Sequence, residues 1–134
     1  MRLVVADASA LIEYLLGPEK AGAIADTIES PEADVHVPAL CDVEVAAGLR
    51  RALRLGLLSE CRAREALGDY ADLPLSRHGH LGILNRLLEL RENFSAYDAA
   101  YAALAEALGA VLLTADARLA RAARDQLGLP IEPG

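Results

Sequence analysis

Apolar residues in this chain follow two different patterns. Residues 3–6 and 111–113 form short apolar runs, which favour strands covered on both faces, and Val35-His36-Val37 is predicted to form another strand. Between these runs, apolar residues recur every three or four positions, which is typical of helices with one buried face. Strands that alternate with helices predict an α/β fold, a three-layer α/β/α sandwich around a mostly parallel sheet.

The clearest helix signal lies between Ser95 and Gly109. Ser95 is a suitable N-cap, the alanine-rich run that follows has high helix propensity, and Gly109 suits a left-handed C-cap. The residues expected to pack on the core from this helix are Tyr97, Tyr101, Leu104 and Leu108. Asp98 then lies in the first turn, and Asp116 follows the next strand directly.

The remaining elements can be placed in order. Pro38 marks the end of the second strand and the start of a helix. Other helices are predicted over residues 10–16, 19–29, 59–72, 81–91 and 117–127, and edge strands over residues 73–75 and 130–132. With 134 residues, 54% of them hydrophobic, the chain has enough material for one core. We therefore predict a single domain over residues 1–134.

The formal net charge of −7 argues against a general binder of nucleic-acid backbones, which would normally be basic. It is compatible with an enzyme that reaches phosphate through a bound cation. Asp7 and Glu13 interrupt the first apolar run, so we expect no signal peptide or membrane helix and a cytoplasmic protein. Cys41 and Cys61 lack a metal or disulfide spacing and are predicted to be buried free thiols.

Four acidic residues occupy related positions in the predicted elements. Asp7 and Asp116 follow two strands, whereas Glu44 and Asp98 open two helices. If the strands are neighbours, all four carboxylates meet at the carboxyl edge of the sheet, where α/β proteins bind ligands. Clustered carboxylates repel one another and are normally balanced by cations, and oxygen ligands select Mg²⁺ or Mn²⁺. The sequence thus indicates a metal site.

Each acid also has an ordinary interpretation. Asp7 and Asp116 could be helix N-caps, and Asp98 could complete a capping box with Ser95. Glu44 could be a solvated helix residue, with Asp42 as a rival for its role. The case for a site comes from the conjunction of the four residues.

Several further residues could assist such a site. Ser9 and Thr114 could donate hydrogen bonds to the carboxylates. RNA phosphates would need basic partners, and the candidates are Arg50, Arg51 and Arg54 on the Glu44 helix and Arg118, Arg121 and Arg124 after Asp116. For Arg118, Arg121 and Arg124 as a group, a solvated helix face is the favoured interpretation. Gly48, one turn after Glu44, could leave room for a ligand, and His78 and His80 are best explained as a surface loop.

Four segments together resemble a known family. They are Val-Val-Ala-Asp-Ala-Ser-Ala-Leu-Ile at residues 4–12, residues 37–51, Phe-Ser-Ala-Tyr-Asp-Ala-Ala-Tyr at residues 94–101, and Leu-Leu-Thr-Ala-Asp-Ala-Arg-Leu at residues 112–119. In this order they resemble the PIN-domain ribonucleases, and more narrowly the toxins of VapBC-type toxin–antitoxin pairs. The resemblance implies an acidic quartet, Asp7, Glu44, Asp98 and Asp116, that binds Mg²⁺ or Mn²⁺ and hydrolyses RNA to leave a 5′-phosphate.

The resemblance also implies a homodimer and a cognate antitoxin that covers the acidic pocket. We expect the antitoxin helix to lie on the apolar faces of residues 21–28 and 53–66. From the chemistry of their side chains, we expect three residues to bind the metal directly: Asp7, Asp98 and Asp116. We expect Glu44 to hold a second ion or to orient water.

Other functions were weighed against a nuclease. An aspartate-nucleophile phosphatase needs a second acid two residues after Asp7, where Ser9 stands. A phosphoacceptor signalling domain needs a lysine after a late strand. The only lysine of this chain is Lys20, which lies near the start of the sequence. A catalytically silent interaction module with the same fold stays open.

Overall fold

The computed structural model describes all 134 residues, and its centre is a sheet of five parallel strands in the order β3-β2-β1-β4-β5. The elements are β1 (Arg2–Ala6), α1 (Ala8–Leu16), α2 (Ala23–Glu29), β2 (Ala33–Pro38), α3 (Cys41–Arg54), α4 (Glu60–Asp72), β3 (Ser76–His78), α5 (Leu84–Glu89), α6 (Ala96–Leu108), β4 (Val111–Leu113), α7 (Ala117–Leu127) and β5 (Ile131–Glu132). Short 3₁₀ turns cover Pro18–Lys20 and Leu81–Ile83. None of the helices is both long and apolar enough to cross a membrane.

The sheet order creates a topological switch point. From β1 the chain moves outward through β2 and β3, then returns to the other side of β1 with β4 and β5. Ala6 is level with Leu113 in the parallel register of β1 and β4. The carboxyl ends of these two neighbouring strands therefore lie side by side, which is the position where open α/β sheets bind ligands.

Helices cover both faces of the sheet, which confirms the predicted three-layer α/β/α sandwich. On one side α6 packs against β1, β2 and β4 and contacts α5 and α7. On the other, α1, α3 and α4 contact one another. The alanines of α6 are almost all buried, and such small side chains let a helix lie close to a sheet.

The caps of α6 confirm the signals in its sequence. The Ser95 hydroxyl accepts a hydrogen bond from the Asp98 N–H, and Gly109 adopts the left-handed conformation with a φ of 63°. Tyr101 and Leu104 are buried as predicted, but Tyr97 is 64% exposed. Tyr97 was wrongly placed in the core because it belongs to the exposed first turn of α6, beyond the residues that meet the sheet.

Some predicted boundaries were wrong for local reasons. The helix predicted over residues 19–29 is shorter, because Gly22 takes a φ of 55° and separates the 3₁₀ turn from α2. Pro38 is the last residue of β2, and α3 begins only at Cys41. The edge strand predicted over residues 73–75 lies at Ser76–His78. The edge strand predicted over residues 130–132 is confirmed as β5, Ile131–Glu132.

Two assignments of side-chain environment also needed correction. Cys41 is buried, and burial raises the pKa of its thiol to about 11, but Cys61 is exposed at the start of α4. The histidines do not form a plain surface loop. The His78 Nε2 lies 2.8 Å from His36 Nδ1 across β2 and β3, and the His80 Nε2 accepts a hydrogen bond from the Leu40 N–H.

Gly48 serves helix packing, and the expectation that it leaves room for a ligand stays a prediction. A Cβ atom at Gly48 would lie 2.3 Å from the Ile12 Cδ1, so the glycine allows α1 and α3 to come together. Gly68 of α4 is a useful contrast, because nothing lies within 4 Å of the Cβ that could be added there.

Substitution of these two helical glycines with alanine should therefore give different results. Gly68→Ala should raise the free energy of unfolding by about 0.5–1 kcal/mol, the usual gain in a helix interior. Gly48→Ala should gain less or lose stability, because the Ile12 side chain must move. Urea unfolding measures both, and equal gains would contradict the close packing of α1 on α3.

Candidate active site

Asp7 is the buried anchor of the site, with 5% of its surface exposed. Its Oδ1 caps α1 by accepting from the Ala10 N–H at 3.0 Å and also accepts from the Ser9 hydroxyl at 2.7 Å. Its Oδ2 accepts from the Thr114 hydroxyl at 2.6 Å. Burial raises the pKa of Asp7, and these hydrogen bonds act in the opposite direction by stabilising the carboxylate.

Thr114 joins the ends of β1 and β4. Because its hydroxyl proton points to Asp7, the same oxygen is free to accept from the Asp116 N–H at 2.9 Å. The Ser9 hydroxyl likewise donates to Asp7 and accepts from the Ala115 N–H at 3.1 Å. The two hydroxyls thus fix the orientation of Asp7 and the backbone that leads to Asp116.

Asp116 is both an N-cap and a member of the acidic group. Its Oδ1 accepts from the N–H groups of Arg118 and Leu119 at the start of α7. Its Oδ2 has only the Arg118 guanidinium nearby, at 4.0 Å. Capping therefore uses one oxygen and leaves the other directed to the site, so the two interpretations of Asp116 are compatible.

Glu44 enters the site from the first turn of α3, where it is partly buried. The Tyr101 hydroxyl donates to Glu44 Oε1 at 2.5 Å. Burial raises the pKa of Glu44, and the charges of Asp98 and Asp7 raise it further. The sequence placed Tyr101 only in the core, although a buried tyrosine normally has a polar partner for its hydroxyl, which was the available signal.

Asp98 comes from the first turn of α6. Ser95 accepts the Asp98 N–H, but the reciprocal bond from the Ser95 N–H to the Asp98 carboxylate is absent, so there is no full capping box. The carboxylate instead contacts the Arg118 guanidinium at 3.3 Å. Burial raises the pKa of Asp98. The Arg118 guanidinium lowers this pKa, and the charge of Asp116 raises it further.

The electrostatic contacts link the four acids into one group. The charge of Asp116 raises the pKa of both Asp7 and Asp98. The charges of Asp98 and Asp7 raise the pKa of Glu44. Arg118 is the one cation that pairs with members of the group. A set of oxygen donors with so much uncompensated charge fits a hard divalent cation. As they stand, no three His, Cys, Asp or Glu side chains of the chain are grouped so as to hold a metal ion.

The other candidates from the sequence lie outside this group. Asp42, the rival of Glu44, accepts hydrogen bonds from the Tyr70 hydroxyl and the Arg77 guanidinium. The arginines predicted on α3 are exposed in the second half of that helix and make no contact with the four acids; they are Arg50, Arg51 and Arg54. Only Arg118 among the predicted RNA-binding residues touches the site.

Comparison with known proteins agrees with this fold. Residues 4–125 match the family described as PIN domain. The chain therefore belongs to the PIN-domain family.

Its relatives in this family match it over nearly their full length. The chain is 38% identical to ribonuclease VapC9 of Mycobacterium tuberculosis over 131 residues, which cover 98% of this chain and 99% of the relative. It is 40% identical to ribonuclease VapC1 of the same species over 129 residues, covering 96% and 93%. The crystal structure of PAE2754 from Pyrobaculum aerophilum superposes with a TM-score of 0.71 at 25% identity, over 97% of this chain and 83% of the other. Sequence and structure thus agree that this is a PIN domain related to the VapC ribonucleases.

The hydroxyl of Thr114 should be worth a measurable part of the fold's stability. Thr114→Val keeps the shape but removes one donor and one acceptor in a buried place, so the free energy of unfolding should fall by about 1–3 kcal/mol. Thr114→Ser keeps the hydroxyl, so its free energy of unfolding should fall less. Urea unfolding of the two variants at neutral pH provides the comparison, and a valine variant as stable as wild type would show that the two bonds matter little.

The raised pKa of Glu44 predicts a cost in the metal-free protein. An acid whose pKa is raised by folding stabilises the protein below its ordinary pKa of 4.5, and this contribution is lost as the pH rises through the folded pKa. Glu44→Gln removes the charge and should raise the midpoint of thermal unfolding at pH 7 by about 1–2 °C, a small effect because the side chain is partly solvated.

The gain should shrink near pH 4, where the wild-type side chain is largely protonated. Glu32→Gln, at an exposed position outside the site, is the control and should show no such gain. A glutamine variant that is less stable than wild type at pH 7 would contradict the assigned electrostatics.

Proposed function

We propose that this chain is a metal-dependent endoribonuclease that hydrolyses RNA phosphodiester bonds and acts as the toxin of a toxin–antitoxin pair. The proposal is carried by the convergence of Asp7, Glu44, Asp98 and Asp116 at the switch point of a PIN-domain sheet. It is supported by relatives that are named ribonucleases and are similar to the chain from end to end. It is also supported by the single core cluster, which draws on β1, β2 and β4 and fits one PIN domain over residues 1–134.

We assign the roles of the four acids from their surroundings. Asp7, Asp98 and Asp116 would be the direct ligands of Mg²⁺ or Mn²⁺, and Glu44 would bind a second ion or orient the attacking water. When bound, the cation would supply an activated water and neutralise charge on the leaving oxygen. Ser9 and Thr114 keep Asp7 ionised and aimed into the site, because hydrogen bonds to a carboxylate favour its charged form.

Tyr101 has a comparable role for Glu44. Its ring is buried in the core and its hydroxyl donates to Glu44 Oε1, so the position of this carboxylate depends on the packing of α6. Arg118 sits between Asp98 and Asp116. We assign it to the phosphate of the substrate, which it can reach because its side chain is largely exposed.

The partner proposals rest on the resemblance to VapBC toxins. A cognate antitoxin would cover the acidic pocket, and the exposed leucines at the end of α3 offer it apolar contacts, Leu55 and Leu57. The other face expected to receive it contributes less, because Ile24 and Ala25 are buried. The homodimer and the cytoplasmic location stay predictions.

Cleavage of end-labelled structured RNAs with Mn²⁺ or Mg²⁺, and with EDTA, tests the function. Asp98→Asn should reduce metal-dependent cleavage by more than about 100-fold, beyond the 10–100-fold cost of losing a residue that only orients a ligand. The control is Asp42→Asn, which lies outside the acidic group and should keep wild-type activity.

Metal binding gives a second measurement in the same experiment. At 100 times its dissociation constant, Mn²⁺ should stabilise the wild type by about 2.7 kcal/mol and the Asp98→Asn variant by much less. A wild type that binds Mn²⁺ but leaves every RNA intact would favour the silent interaction module. Equal cleavage by wild type and Asp98→Asn would remove Asp98 from the catalytic set.

A further inference from the structure

Unpaired positive charge is unevenly distributed over this acidic protein. Seven arginines lie within ion-pair distance of carboxylates. The basic residues without such a partner are Lys20, Arg50, Arg51, Arg54, Arg121 and Arg124. Because the chain carries a formal net charge of −7, any RNA strand needs a local basic path to reach the acidic site.

One such path begins at the site itself. An open groove of about 550 Å³ is lined by Thr114 and Asp116 at one end and by Arg121 and Arg124 along one wall. The remaining α7 residues of that wall, Ala117 and Ala120, are small and allow a bulky backbone to lie against the helix. The groove therefore shares Thr114 and Asp116 with the candidate active site and has two arginines of α7 in its lining.

The helix sets the spacing of the two arginines. Arg121 and Arg124 follow the N-cap Asp116 by five and eight residues, which places their backbones about 7.5 and 12 Å along the axis of α7. Both are exposed and on the face that lines the groove. Asp125 is the only acid on α7, and it does not pair with either arginine. The basic residues thus lead away from the site at intervals that suit consecutive phosphates of an extended strand.

We propose that Arg121 and Arg124 form a phosphate-binding subsite that holds the RNA backbone next to the bond to be cleaved. The inference rests on the proposed ribonuclease function and adds the direction in which the strand leaves the acidic site, along α7. Guanidinium groups bind phosphate oxygens through paired hydrogen bonds, which makes arginine well suited to the task. Glu13 on the opposite wall repels phosphate and keeps the strand on the α7 side.

This assignment reverses the ranking suggested by the sequence. The α3 arginines were preferred there, but none of Arg50, Arg51 and Arg54 lines this groove. The α7 arginines had been interpreted as a solvated face. Their position beside Asp116 could not be read from their spacing, because it depends on α1 and α2 forming the other wall.

The test compares two double variants that lose the same charge. Arg121→Gln/Arg124→Gln removes the subsite, and Arg64→Gln/Arg91→Gln removes two exposed arginines whose recorded ion pairs are local ones with Glu60 and Glu92. Both are assayed with Mn²⁺ on a single-stranded RNA that the wild type cleaves. The affinity for the same RNA is measured without divalent metal between 50 and 200 mM salt. Over this range the part of the affinity that comes from phosphate contacts falls steeply with salt concentration.

In the subsite variant we expect KM to rise about tenfold while kcat stays within about twofold, because the contacts are away from the reacting phosphate. The slope of log affinity against log salt should fall by about 1.4, since each phosphate contact on a single strand contributes about 0.7. Arg121→Lys/Arg124→Lys should recover most of the salt dependence and part of the affinity. The control should resemble wild type.

Several results would overturn the subsite. If the wild type cleaves RNA and the Arg121/Arg124 variant matches the control in KM and salt slope, the subsite is wrong and the nuclease function stands. The same holds if the variant loses only the binding of a partner protein. If the folded wild type neither binds nor cleaves any RNA, the proposed function fails and the subsite fails with it.

Discussion

The structure depends most on the place where β1 and β4 end side by side. Ala6 and Leu113 are level in the sheet, so the chain leaves both strands at one point. There the Asp7 carboxylate accepts hydrogen bonds from the hydroxyls of Ser9 and Thr114, which reach it from the two strand ends. Without those bonds a buried charge at the centre of the sheet edge would be costly, since only the Ala10 N–H would remain to compensate its desolvation.

The same arrangement makes the site costly for the metal-free fold. Folding raises the pKa of Asp7, Glu44 and Asp98, which means that their charged forms are less favourable in the folded chain than in water. Such a cost is tolerated because the remainder of the domain provides a well-packed core, from residues 4–6 of β1 and the fully buried β4 to the buried alanines of α6. A cation that binds the four acids would recover this energy on binding, so metal affinity and fold stability are coupled.

The sequence predicted the layers and the parallel sheet, because these follow from the order of elements, whereas the four acids as one metal-binding group stay a prediction. It could not predict contacts that depend on the relative positions of elements. Tyr101 has the sequence pattern of an ordinary core residue, but in the fold its hydroxyl meets Glu44 of α3. The packing role of Gly48 could not be predicted from the sequence, because it depends on α1 lying against α3. Tyr97 has the correct helical phase but lies in the one turn of α6 that the core does not cover.

Arg118 shows how the acidic site and the basic groove are connected. It is the cation of the acidic group, held near Asp98 and Asp116, and it lies on the same helix as Arg121 and Arg124. Since Asp116 caps this helix, the position of one carboxylate sets the position of all three arginines. The electrostatic potential therefore changes from negative to positive along a single helix. An RNA strand bound along α7 would be attracted by the arginines until it reached the acids. There, a bound cation would be needed to neutralise the repulsion between carboxylate and phosphate.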